Sequence, residues 1–505
     1  MKTKSMMMLG GAMLMPMAAN ALCKPKKPNV LFVLCDDMGY GDLGCYGQKL
    51  IRTPHLDNMA REGMRFTQAY SGSPVSAPSR AALMTGQHTG HCEIRGNKEY
   101  RQGSVQYGVH TDFAVSGQHP LDTAHVVLPE IMKRNGYNTA QFGKWAGGYE
   151  GSISTPDKRG VDEYYGYICQ FIAHQYYPNF MNRFSRSKGD TATIRVVLEE
   201  NIKYAMSGAD YLNRPQYTAD LIHQEAMEWL DKQDGKTPFY GLLTYTLPHA
   251  ELVQPDDSIL QEYKQKFIED KTYGGDPYSR YNAIAHTHAQ FAGMITRLDA
   301  YMGDIFAKLK EKGLDENTIV IFSSDNGPHQ EGGADPTFFN RDGLLRGLKR
   351  QTHEGGIRVP FIVRWPGKVK AGTVSDLPIA FWDVMPTLCD LAGDKSFPEA
   401  YLNPNKENDC FDGISFKNTL LGKNKRQKKH EYLYWEFNET NQIAVRKDEW
   451  KLIVKGGVCH LYNLATDLHE DTDIAAQHPE VVEELKAIIR KEHRDSPHFH
   501  VTMPQ

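Results

Sequence analysis

The stretch from Ser73 to Gly86, Ser-Pro-Val-Ser-Ala-Pro-Ser-Arg-Ala-Ala-Leu-Met-Thr-Gly, reads as a loop that turns into a helix. Pro78 suits a first turn, residues 81–84 favour helix, and Gly86 can close it. Ser76 thus falls at a helix start, where free amide N–H groups and the helix dipole favour a bound anion or a developing oxyanion. Two roles fit a serine there. It caps the helix, or it is a nucleophile, and an unmodified hydroxyl in the second role needs a base or a metal to activate it.

Two acidic pairs could supply that metal's ligands. Asn29 to Cys35 is a continuous apolar run, predicting a strand buried on both faces, and it ends in Asp36-Asp37. Adjacent carboxylates there repel one another and resist desolvation unless something positive neutralises them. A divalent cation would do so, although solvated loop acids or a cap are commoner uses of the dipeptide. The predicted strand Thr318 to Ser324 delivers Asp325-Asn326-Gly327, adding a carboxylate and a carbonyl. Such an all-oxygen set suits a hard cation, and Ca²⁺ tolerates its geometry better than Mg²⁺. No Asp-His pair of the kind that holds zinc stands at this strand end.

Lys144 and His249 follow the predicted strands Tyr137 to Phe142 and Phe239 to Leu247. Open α/β sheets bind ligands at the carboxyl ends of their strands. A lysine there can meet anionic oxygens, and a histidine can protonate a departing alkoxide. Each also has an ordinary reading, as an exposed lysine and a buried structural histidine. Cys169 to Pro178 mixes aromatic rings with polar tips, which suits a sugar as well as it suits core packing, and makes His174 a candidate substrate contact. Arg95, in the segment His91 to Asn97 near the serine loop, is another.

The elements that must position these residues alternate as a doubly wound α/β sheet requires. Helices are predicted at His55 to Gly63, Leu128 to Asn135, Tyr217 to Gln233, Ile284 to Lys312 and Phe381 to Ala392, and a further strand at Met64 to Tyr70. Residues 150–215 show weak periodicity. Residues 394–430 turn polar and carry a basic run, Lys423 to Lys429, which reads as a solvated linker. Beyond it, Glu431 to Phe437, Gln442 to Arg446, Trp450 to Val454 and Cys459 to Leu461 are short strands in hairpin order, followed by an amphipathic helix from His478 to Arg494. The predicted fold is therefore α/β. A large doubly wound, mixed or parallel sheet flanked by helices spans residues 22–393, and a linker and small C-terminal antiparallel sheet plus helix span 394–505.

With 505 residues, 40% of them hydrophobic, the chain can bury a large core. A net charge of -4 gives no basic field for nucleic acid, so an anionic substrate must be attracted locally. Residues 1–21 place Lys2 and Lys4 before an apolar run and Ala19-Asn20-Ala21, the order of a secretory signal cleaved after Ala21. A periplasmic or secreted protein follows, with no membrane-spanning segment after signal removal. Leu22 before Cys23 argues against a lipid anchor there. The eight cysteines include no CxxC pair, which disfavours a thiolate zinc site.

Together these residues resemble the formylglycine-dependent sulfatases, members of the alkaline-phosphatase-like superfamily. Ser76, Pro78, Ser79, Arg80, Leu83, Thr85 and Gly86 match the family signature in its serine form. Met38 to Gly47 resembles the family's first block, Gly143-Lys144-Trp145 its second, Pro248-His249 its strand-Pro-His element and Glu354 to Phe361 its last. Leu461-Tyr462-Asn463-Leu464 is similar to part of its C-terminal domain.

The resemblance implies that a radical-SAM maturase oxidises Ser76 to formylglycine, whose hydrate supplies the attacking oxygen. It implies Ca²⁺ held by Asp36, Asp37, Asp325 and Asn326 together with residue 76. Lys144, Lys349 and Arg80 would hold the sulfate, and His249 would protonate the leaving alcohol. The family pattern continues Gly-Lys-Trp with a histidine credited with helping the hydrate shed sulfate, whereas this chain has Ala146. The implied substrate is a sulfated carbohydrate, galactose or N-acetylgalactosamine sulfate of mucin or glycosaminoglycan, attacked from its end. Two other readings fit parts of the pattern: a metal-dependent phosphoesterase using unmodified Ser76, and a non-catalytic sulfated-glycan-binding protein, suggested by Ala146.

Overall fold

Asn29–Cys35 is a strand with every residue buried, and its alternate side chains enter two different cores. Leu31, Val33 and Cys35 face a layer built by the helices Pro54–Glu62, Thr218–Asp231 and Thr287–Glu311. Val30, Phe32 and Leu34 face a layer built by Ser76–Thr85, Leu128–Arg134 and Val384–Ala392. Burial on both faces is why this run is continuously apolar rather than alternating. The computed structural model describes residues 27–102, 115–205, 208–268, 270–276 and 281–504. The signal segment 1–21 and Cys23 lie outside them.

The strand sits near the middle of a ten-stranded mixed sheet. It pairs in parallel with Phe239–Thr244 on one side and Thr318–Ser324 on the other. Asn138–Lys144 lies parallel beyond the first of these, and Phe361–Arg364 antiparallel beyond the second. Residues 150–215, where no element was expected, add Glu163–Tyr167, Phe180–Ser185 and Ile194–Val197 to one edge. The outermost of these is half exposed, which dilutes the apolar signal that marks the central strands. The single strand expected from Met64 to Tyr70 is two: Met64–Phe66 joins the large sheet, and Ala69–Tyr70 pairs with Ile379–Ala380.

Leu433–Phe437, Gln442–Lys447, Trp450–Lys455 and Val458–Asn463 form a four-stranded antiparallel meander. One face packs Tyr434, Ile443, Val445 and Leu452 on the helix Pro479–Glu492. The other lays Leu433, Trp435, Ala444 and Ile453 against Tyr70, Ala82 and Trp382 of the large layer. Between the two, Lys451 Nζ lies 2.8 Å from Glu354 Oε1 and 3.2 Å from Glu470 Oε1, with all three side chains sealed from solvent. Burial alone would raise Glu354, but Lys451, Arg446 and Arg358 outweigh it and hold its carboxyl down at about 2. Removing one partner of a buried ion pair strands the others. Lys451→Met is therefore expected to destabilise the protein by about 3–5 kcal/mol, read as a fall in the thermal unfolding midpoint, although residue 451 is no part of the site.

A second polar clasp joins His88 and His91 to Asp412 and Glu492. The Gly90 amide donates to His88 Nδ1 at 3.1 Å, which puts that ring's proton on Nε2, 3.2 Å from Glu492 Oε2. In that tautomer the remaining lone pair, on Nδ1, is already engaged by the Gly90 amide, so the His88 ring offers none to a cation. Among the described residues all seven cysteines are free, and no helix is long and apolar enough to cross a membrane.

Candidate active site

The central strand ends at Cys35 opposite Ser324 of its neighbour, so the two strands release their acidic pairs at the same level. Asp37 takes φ +62°, a left-handed conformation that Asp tolerates better than most residues. Its amide donates to Asp325 Oδ1 at 3.1 Å, and Asn326 Nδ2 donates to Asp37 Oδ1 at 2.7 Å. Asp36, Asp37, Asp325 and Asn326 are wholly buried.

Ser76 is the first residue of the helix Ser76–Thr85, and the position that caps a helix belongs to Val75. Its hydroxyl does not serve the helix. Ser76 Oγ instead donates to Asp36 Oδ1 at 2.8 Å, with Lys144 Nζ 3.3 Å away. Gly86 closes the helix at φ +67°, as its position in the sequence suggests.

Lys144 is itself the last residue of its strand. Gly143 before it adopts φ +114° and comes so close to the next strand that a Cβ would sit 2.1 Å from Thr244 O, so only glycine fits there. Lys144 Nζ reaches Asp36 Oδ2 at 2.6 Å. From the helix, Arg80 Nε donates to Asp325 Oδ2 at 2.9 Å. Lys349 Nζ lies 2.8 Å from Asp37 Oδ2 and 2.9 Å from His249 Nε2. His249 follows a strand that stops at Thr244, earlier than expected, because a turn with His249 N bonded to Thr246 O takes over.

Three carboxylates thus meet three cationic side chains in a sealed place. Burial raises Asp36, but Lys144 and Arg80 prevail and hold it well below the carboxylate range. Asp325 goes the other way, pushed up to about 7 by burial and by Asp36. Such a divergence is what a crowded carboxylate pair does when no further positive charge is at hand. Asn326 Oδ1 is buried and accepts no hydrogen bond. An orphaned carbonyl beside crowded carboxylates is the donor set of a hard divalent cation, and the residues fit one. With such a cation added to the three balanced pairs, the site gains a surplus of positive charge, the complement of an anionic ester.

Above this floor opens a cavity of about 720 Å³, lined by Ser76, Lys144, His249 and Lys349 and, on its walls, by His174 and Tyr281. His174 is therefore where a substrate contact could stand. Arg95, the other expected contact, is not: its guanidinium is buried against Glu436 Oε2 at 2.6 Å and Arg494 O at 2.7 Å. It ties the segment after the serine helix to the C-terminal sheet, because a buried guanidinium follows its carboxylate. Gln170, of the segment Cys169 to Pro178, also lines the cavity, and sequence reasoning passed over Tyr281, Glu331 and Arg350, which line it too. Glu331 Oε2 lies 3.2 Å from Lys349 Nζ, a contact with no local signature in the sequence. At Ala146 the methyl group packs in the core and the carbonyl accepts from Gln170 Nε2 at 2.9 Å.

A mixed sheet with acids at its strand ends, a helix-borne serine against them and basic groups above defines a hydrolase of anionic esters with the alkaline-phosphatase-like architecture. Residues 28–394 match the family model described as Sulfatase, and residues 348–495 match that for the N-sulphoglucosamine sulphohydrolase C-terminal region. The chain belongs to the sulfatase family and is a sulfuric ester hydrolase. An N-acetylgalactosamine-6-O-sulfatase of Bacteroides thetaiotaomicron is 28% identical over 92% of this chain and 93% of its own length. The N-acetylgalactosamine-6-sulfatase of Canis lupus familiaris is 32% identical over 73% of this chain and 63% of its own. Among solved structures, that of Ps i-CgsB has a TM-score of 0.70 at 26% identity and covers 94% of this chain and 96% of its own; it is also known in complex with k-i-k-neocarrahexaose.

Proposed function

We propose that this chain removes sulfate from sulfated carbohydrates through a formylglycine made from Ser76 by a radical-SAM maturase, beside Ca²⁺ held by Asp36, Asp37, Asp325, Asn326 and residue 76. One observation carries the reading: Ser76 Oγ points out of its helix and into the carboxylate–lysine cluster, 2.8 Å from Asp36 Oδ1. In this reading the modified residue supplies the attacking oxygen, and the cation supplies charge that polarises it and the sulfo group. Lys144, Lys349 and Arg80 orient the sulfo oxygens and offset charge that grows during transfer.

His249 lends a proton to the leaving oxygen. Its Nδ1 donates to Ala250 O at 2.5 Å, so in the neutral ring Nε2 is an acceptor for Lys349 Nζ. Burial and Lys349 push His249 well below its ordinary range. In this reading the proton comes from the Lys349 ammonium: Nε2 takes it up and releases it to the leaving oxygen as negative charge develops there, which leaves His249 neutral as before and Lys349 as the amine until solvent protonates it again. Replacing Lys144 with alanine is expected to lower kcat/KM by about 10²–10³-fold, with the fold retained, measured by sulfate release.

A galactose or N-acetylgalactosamine sulfate is the proposed substrate, and the names of relatives that match most of this chain support the second of these. Residues 1–21 support export to the periplasm or beyond. Sulfate release from a panel of defined sulfated sugars, with the matching phosphate esters alongside, tests the reading. Turnover of at least one galactose- or N-acetylgalactosamine-type sulfate is expected. Turnover of the phosphate esters alone would move the chain to a phosphoesterase.

A further inference from the structure

Three imidazoles stand in rank, and two of them, His174 and His249, line the cavity. His249 is in the middle, with the His174 ring 3.8 Å from it centre to centre and only 20° from parallel. His329 lies on the other side at 5.5 Å and 14°. The His329 ring is fixed by its own bonds: Glu331 N donates to its Nδ1 at 3.2 Å, and its Nε2 donates to Pro248 O at 3.2 Å.

His249 is bonded in its plane at both nitrogens, Nδ1 donating to Ala250 O and Nε2 accepting from Lys349 Nζ, and neither bond supports the faces of the ring. Bonds that lie in the ring plane resist a tilt out of that plane only weakly. Tilting would swing Nε2 away from Lys349 and from the cavity. Flat neighbours on both faces remove that freedom at little entropic cost, because rings in offset contact resist tilting while sliding freely. His174 is the nearer of the two, and it alone of the flanking pair lines the cavity. Its own seat is held from behind, since Glu251 N donates to His174 O at 3.2 Å, which ties the turn carrying His174 to the loop carrying His249. Burial keeps His174 well below its ordinary range, so the stack does not set one imidazolium against another.

The geometry points to His174 as a positioning residue for His249: its ring lies on the imidazole face and keeps Nε2 aimed at the leaving oxygen. The inference rests on the proton-donor reading of His249 given above. It makes the turn Ile172–His174 part of the catalytic apparatus without giving it any contact with the sulfo group.

A double-mutant cycle with the full-length, matured enzyme and one sulfated sugar tests it. His174→Ala is expected to lower kcat about 10- to 100-fold with KM changed less than about threefold. His174→Phe, which keeps a flat ring but no titratable nitrogen, is expected to recover most of that loss. In a His249→Ala background, His174→Ala is expected to cost nothing further, because a residue that acts through another is silent once the other is gone. A rise in KM at unchanged kcat, no recovery with Phe, or additive losses in the double mutant would each overturn the assignment and leave His174 a substrate contact. Wild-type kcat in His249→Ala alone would instead remove the proton-donor reading, and the positioning role with it.

Discussion

Ser76→Ala is expected to reduce sulfate release by at least about 10⁴-fold, the scale on which loss of a nucleophile is felt in hydrolases. The fold should not share in the loss. The side chain makes one donated hydrogen bond, to Asp36 Oδ1, and that carboxylate keeps Lys144 at 2.6 Å on its other oxygen. The helix has its apolar residues, its Gly86 stop and Val75 at the capping position, none of which needs the serine hydroxyl. A stability change of about 1 kcal/mol, typical of one lost hydrogen bond, is the most expected. An unfolding midpoint close to that of the wild type, together with lost turnover, separates a missing nucleophile from a damaged fold. In a non-catalytic binding protein the same substitution would instead leave saturable binding of a sulfated glycan unchanged.

Removal of the cation should rival that effect. Asp325→Ala deletes a proposed ligand and leaves Arg80, whose Nε and Nη2 both rest on Asp325 Oδ2, with Asp36 and the Lys144 carbonyl, each at 3.5 Å. The loss of activity is expected to exceed the ~10- to 100-fold that follows loss of a mere supporting contact in a metal site, and elemental analysis should find the divalent cation depleted. Chelation of the wild type should give the same inactive state reversibly, with Ca²⁺ restoring turnover better than Mg²⁺ because the donors are all oxygen and irregularly placed. Asp325→Asn is the sharper control. It keeps the shape and removes the charge, so retention of metal and activity by that variant would count against the assignment of this side chain.

The parts of this structure that could be read in the chain are those whose cause is local. Asn29 to Cys35 is buried on both faces and therefore apolar throughout, and its end marks Asp36 and Asp37 without ambiguity. Thr318 to Ser324 was legible for the same reason. What escaped is set by contacts between residues 18 to 341 positions apart, beyond the reach of any local pattern. Arg95 was drawn to Glu436, Lys451 to Glu354 and Glu470, and Glu331 to Lys349, and no spacing in the sequence marks such pairs. The strands within residues 150–215 escaped because an edge strand such as Ile194–Val197 has too little buried surface to imprint a pattern. The serine shows both situations at once. Its place at a helix start was plain, while the choice between cap and cluster was made by Asp36, forty positions away.

The account stands or falls on the chemical state of residue 76, and the mass of the tryptic peptide spanning residues 66–80, from protein produced with a sulfatase-maturating enzyme, reports it directly. The account predicts a peptide lighter by two hydrogens than its unmodified form, reactive toward a hydrazide, and present in proportion to sulfatase activity across preparations. A fully active preparation whose peptide carries an intact serine would contradict it.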